Sequence, residues 1–103
     1  MPKYVFAYHG GSKPATPEEG AKAMAAWTSW FNGLGKAVLD GGNPCGPSQT
    51  VSKSGVAAGG GANPISGYSL IDAPSMAAAT RIAQGCPILA NGGTIEVAEA
   101  MPM

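Results

Sequence analysis

The run Lys3-Tyr4-Val5-Phe6-Ala7-Tyr8-His9 decides the fold. It is rich in β-formers and stops at Gly10-Gly11, a turn signal. Side chains alternate along a strand, so Tyr4, Phe6 and Tyr8 share one face, and Lys3, Val5, Ala7 and His9 share the other. Both sets are largely apolar. An antiparallel strand with one wet face should alternate clearly between apolar and polar. This one does not, which predicts a strand covered on both sides.

Downstream, Thr16-Pro17-Glu18-Glu19 spells a helix start. Thr16 can cap, Pro17 suits the first helical position, and Glu19 completes a capping box. The spacing predicts a helix from Pro17 to about Leu34, with Met24, Trp27, Phe31 and Leu34 facing the core and Trp30 widening that arc. Gly33 and Gly35 supply the stop. Short strands are expected at Lys36–Leu39 and Gln49–Lys53. Gly55–Asn63 reads as a flexible Ala/Gly loop, and Ile65–Asp72 as a further strand. A second helix opens at Pro74-Ser75, with Ser75 as cap, and runs to about Gln84. Met76, Ala79, Ile82 and Ala83 form its inner stripe, and Gly85-Cys86-Pro87 stops it. After the Asn91-Gly92-Gly93 turn, Thr94–Met101 is the last strand. Ile95, Val97 and Met101 face one way there, and Glu96, Ala98 and Ala100 the other. The order β-α-β-(β)-β-α-β predicts an α+β, ferredoxin-like antiparallel sheet with two helices on one face, in a single domain spanning 1–103. The uncovered sheet face then needs another cover, and a second copy of the sheet is the simplest one.

Composition points the same way. Gly and Pro are abundant, at 16 and 9 of 103 residues, while Val, Ile, Leu and Phe together number only 16. Much of the apolar content is Ala, at 18 residues, which buries little area. Domains short of core commonly recruit disulfides, metals or another subunit. Six basic and six acidic groups give zero formal charge, which removes the repulsion that keeps copies apart. A homodimer through the sheet face is therefore expected. The same charge balance, without a basic cluster, argues against nucleic acid. No apolar run approaches the roughly 18 residues of a membrane span. The apolar N-terminal run is too short for a signal-peptide core, so a cytoplasmic protein is expected. Cys45 and Cys86 lack a second Cys or a His at ligand spacing, so they read as free thiols, with no metal and no cofactor expected.

His9 is the only imidazole, placed at the C-terminal end of the first strand. Such a residue can act as general base near neutral pH. Asp40 and Asp72, at the ends of other strands, are the carboxylates proposed to serve it. The sequence leaves open whether either reaches it. Trp27 and Trp30, three apart on one helix, suit a pocket for a flat apolar ligand, and equally suit a core or a dimer contact. Tyr68 joins them as a candidate substrate contact. The glycines of 55–61 precede a strand rather than a helix, so they do not read as a phosphate cradle. No Gly-x-Ser-x-Gly elbow is present.

At this point the chain resembles the YCII-related family of dimeric α/β barrels. The likeness rests on Lys3–Tyr8, on the Thr16-Pro17-Glu18-Glu19 opening, and on Gly35-Lys36-Ala37-Val38-Leu39-Asp40-Gly41-Gly42. It continues through Gly67–Asp72 and Gly93-Thr94-Ile95-Glu96-Val97. The resemblance implies a homodimer whose two sheets face one another across a cleft. It implies no single reaction, although some relatives on this fold act on lactones from aromatic degradation. One branch carries a first-helix His paired with an Asp; the matching stretch here, around Ala23-Met24-Ala25, has none. Another carries Asp-Gly-Pro-Phe before the third strand, where this chain reads Gly55-Val56-Ala57-Ala58-Gly59-Gly60-Gly61. Two functions are therefore carried forward. One is a small-molecule-binding homodimer, an isomerase- or lyase-type enzyme using His9 for proton transfer. The other is a non-catalytic binding or structural dimer.

Overall fold

The computed structural model describes residues 1–103. The first strand, β1 (Lys3–His9), is followed by helix α1 (Pro17–Leu34) and, after a 3-10 turn at Gly35–Ala37, by the short strand β2 (Val38–Asp40). Strands β3 (Gln49–Ser52) and β4 (Gly55–Ala58) form a hairpin. Strand β5 (Ile65–Asp72), helix α2 (Met76–Ala83), a 3-10 turn at Pro87–Asn91 and strand β6 (Thr94–Ala100) complete the chain. Four strands make one antiparallel sheet in the order β2-β5-β1-β6, while β3 and β4 pair only with each other. The architecture is α+β and compatible with a ferredoxin-like fold.

The local signals for both helix starts are realised. The Glu19 N–H donates to Thr16 Oγ1 at 3.1 Å, and Glu19 Oε2 accepts from the Ala15 N–H at 2.9 Å. At α2 the Ala78 N–H donates to Ser75 Oγ at 3.1 Å. Each cap satisfies a backbone donor the helix leaves orphaned, worth about 1 kcal/mol.

Tyr4, Phe6 and Tyr8 are buried together with Ile71, Ala73, Ala79, Ala83, Cys86 and Ile88, so this is the helix-covered face. The cover from α1 is aromatic. Trp27 meets Tyr8 edge-on at 5.1 Å between ring centres, Trp30 stacks on Phe6 at 6.5 Å, and the two tryptophans meet edge-on at 5.7 Å. Helix α2 presents alanines instead: Ala79 and Ala83 are buried, and their small size lets the backbone approach the sheet.

Several expectations are corrected. Met24 is 69% exposed, because Gly20, Ala23, Trp27, Trp30, Phe31 and Leu34 occupy the inner arc and leave Met24 at its edge. Met76 is likewise largely exposed, and Met101 lies beyond β6 in the solvent. The stretch 55–63 is not all loop. Its first four residues form β4, with Val56 opposite Val51 and Ala57 opposite Thr50. Gly55, at φ +139°, closes the turn in a backbone conformation that other residues avoid.

The other face of the sheet carries Val5, Ala7, His9, Tyr68 and Leu70, all half-buried, beside the exposed Glu96 and Ala98. No helix covers it, and the 63–64 segment reaches only its His9 end. The molecule is accordingly a slab, 43 × 43 × 18 Å, with a radius of gyration of 14.8 Å. A compact chain of this length would have about 13 Å. Only 12 of 103 residues are buried.

Gly42 holds the return from β2 against β5. Its φ is +72°, and a Cβ there would overlap the Tyr68 carbonyl oxygen. Gly42→Ala is expected to cost about 2–4 kcal/mol in urea unfolding, from backbone strain plus steric clash. Gly33, helical and with open space around it, is the control: Gly33→Ala is expected to add about 0.5–1 kcal/mol.

Candidate functional site

His9 ends the central strand and lies on the uncovered face. A register shift between Tyr8 and His9 sets it opposite Ile65 on β5, while Thr94 lies opposite on β6. The imidazole is 12% exposed. Its Nδ1 lies 3.0 Å from the Asn63 carbonyl oxygen and 3.2 Å from that of Pro64. Both are acceptors only, so Nδ1 carries the proton and donates. Its Nε2 lies 3.3 Å from Glu96 Oε1, on a side chain that is 72% exposed. With Nδ1 donating to these carbonyls, Nε2 is the nitrogen that faces the Glu96 carboxylate.

Neither carboxylate expected from the sequence reaches this histidine. Asp72 lies opposite Lys3, six positions down β1, or about 20 Å at the usual strand rise. Its Oδ1 is 3.9 Å from the N-terminal ammonium of Met1. Asp40 pairs with Leu70 at the sheet edge, and its Oδ1 accepts from the Gly42 N–H at 2.8 Å, fixing the turn. The partner is Glu96, which sequence reasoning missed. A signal was present. Glu96 is the polar position in the Ile95-Glu96-Val97 alternation, and β6 pairs antiparallel with β1 beside it.

The expected pocket also divides. Trp27 and Trp30 pack on Tyr8 and Phe6 beneath α1, on the face opposite His9, so they cannot share a cleft with it. Tyr68 does share the face, opposite Ala7 on β5. The uncovered face thus brings together His9, Glu96 and Tyr68 on a floor of Ala7, Val5 and Leu70. A hollow of about 440 Å³ lies at the root of the β3–β4 hairpin, between segments 46–48 and 58–61, and shares Pro64 with the histidine's hydrogen bonds.

Three ionisable side chains belong to the core, Tyr4, Tyr8 and Cys86, and the last two carry the larger shifts. The Tyr8 hydroxyl donates to Ser69 Oγ at 2.8 Å, and Ser69 donates to the Gly41 carbonyl at 2.7 Å. Burial pushes Tyr8 up to about 12, partly offset by that hydrogen bond, and pushes the Cys86 thiol up to about 11. Both groups are neutral when protonated. Their contribution to stability is intact below the unfolded values of 10.0 and 9.0, and it is lost as pH rises through the folded ones. Chemical denaturation followed from pH 8 to about 12 is therefore expected to show stability falling above about pH 9. In the folded protein at pH 8, Cys86 is expected to resist alkylation, and denaturant should release it. Prompt modification of Cys86 in the native state would contradict its placement.

No family model matches this chain, and no curated protein matches it. No helix is long and apolar enough to cross a membrane.

Proposed function

We propose that the chain works as a homodimer, two sheets facing one another in a dimeric α/β barrel, and binds a small molecule in the cleft between them. This is the arrangement expected from the resemblance to the YCII-related family. What supports it is a largely apolar sheet face left open in a chain with only 12 buried residues.

In this cleft His9 performs proton transfer of the isomerase or lyase kind, which deepens the first of the two readings. The observation that carries it is the histidine's hydrogen-bond arrangement. Asn63 and Pro64 hold the Nδ1 proton, which leaves the Nε2 lone pair as the base. Nε2 removes a proton from a carbon next to a carbonyl, and the electron pair moves into the enolate. The imidazolium, stabilised by Glu96, returns that proton to another carbon of the same molecule. Atoms and electrons balance without an oxidant or reductant. Asp40, Asp72, Trp27 and Trp30 take no part in this step.

A second reading is favoured by a separate observation. Both imidazole nitrogens already have partners at hydrogen-bond distance. In a non-catalytic dimer, His9 is a clamp tying residues 63–64 to β6.

Two experiments test the proposal. Incubation with a panel of γ-lactones in D2O, followed by NMR, is expected to show exchange of protons next to the carbonyl, reduced about 10²- to 10⁴-fold in His9→Gln. No exchange with any lactone, from a dimeric protein, would leave the clamp reading. Val5→Asp, which puts an unpaired charge in the middle of the face, should cost several kcal/mol and yield monomers by light scattering. An unchanged dimer would place the contact elsewhere.

A further inference from the structure

We infer that the β3–β4 hairpin is a dimerisation arm: it reaches onto the uncovered sheet face of a second copy, and its Lys53 pairs with the partner copy's acidic site beside the histidine. This inference rests on the homodimer reading and adds to it a residue contributed in trans.

Three observations carry it. First, the hairpin has no cover of its own. All eight strand residues are exposed, and the cross-strand pair Val51 and Val56 is 75% and 65% exposed. A lone two-stranded hairpin is marginal in water, and an apolar pair held on such an arm is a natural contact for another surface.

Second, the charges are complementary. Lys53, in the hairpin turn, is the only charged residue between Asp40 and Asp72. On the uncovered face the carboxylate beside the candidate site is Glu96, whose side chain is 72% exposed. The arm also springs from the same end of the sheet as that site: the Asn63 and Pro64 carbonyls that bind His9 lie between β4 and β5.

Third, the sheet face alone is small. Its strands, about 4.8 Å apart and about seven residues long at about 3.3 Å each, offer about 400 Å² of plan area per copy. Specific interfaces bury about 800 Å² of accessible surface per partner, a measure that follows side-chain relief and exceeds plan area, so the sheet face alone offers at most a contact of standard size. An arm from each copy extends the contact past the sheet and closes the cleft over His9. A two-fold axis makes the arrangement reciprocal, so each arm–face contact occurs twice.

The test is a charge-swap cycle read as the dimer dissociation constant by sedimentation. Lys53→Glu and Glu96→Lys are each expected to weaken the dimer about tenfold or more, because the symmetry duplicates each lost pair. The double variant should recover most of the loss. Val51→Ser with Val56→Ser, at positions too exposed to unfold the chain, is expected to weaken the dimer as well, with circular dichroism unchanged. If the wild type is a dimer whose constant none of these changes moves, the arm inference falls and the face-to-face dimer stands. Weakening by the single swaps without recovery in the double variant would also refute the pairing. If the wild type is a monomer at micromolar concentration, both fall.

Discussion

The two-sided demand of β1 organises everything else. The strand sits in the middle of the sheet with hydrogen-bonded neighbours on both edges, and it carries apolar side chains on both faces. Covering one face consumes most of the bulk the chain owns. From α1, Trp27 meets Tyr8 edge-on and Trp30 stacks on Phe6, with Phe31 packed against both tryptophans, while α2 comes close by presenting Ala79 and Ala83. Nothing of comparable size is left for Val5, Ala7, Tyr68 and Leu70. Hydrophobic gain scales with area removed from water, at roughly 25 cal/mol per Å², so an open face of this composition is a standing incentive to associate.

The same strand positions the proposed site. Because β1 ends at the turn of Gly10 and Gly11, its last residue can accept support from several directions at once: the 63–64 segment in front, β6 at the side. The support is backbone on one nitrogen and an exposed carboxylate on the other. The carbonyls accept only, so they select one tautomer of the ring. By contrast, the Tyr8–Ser69–Gly41 chain is buried at Tyr8 and Ser69 and half-buried at Gly41, and it ties β1 to β5 and the loop after β2. It is a brace for the sheet.

What was legible in the sequence was what is decided locally. Thr16 with Glu19, and Ser75, announce their helices because capping involves residues three apart. The double-faced character of residues 3–9 is visible in their alternation. The rest depends on distant partners. His9 and Glu96 are 87 positions apart, so position at strand ends pointed instead to Asp40 and Asp72. Trp27 and Trp30 looked equally suited to a pocket or a core until the sheet showed which face they meet. Strand β4 was hidden because Gly55-Val56-Ala57-Ala58 has little β-propensity of its own, and its pairing with β3 is what makes it a strand. Met24 fitted the helical period, but Gly20, Ala23 and Trp27 hold the inner arc beside it and leave it exposed.

Small-angle scattering of the wild-type protein at micromolar concentration decides whether the open face is paired. A face-to-face dimer gives a particle of about twice the 10.2 kDa chain mass, thicker than the 18 Å slab of one copy. A single-chain particle with a radius of gyration near 14.8 Å would mean that the second face of β1 tolerates water, and the cleft built on it would not exist.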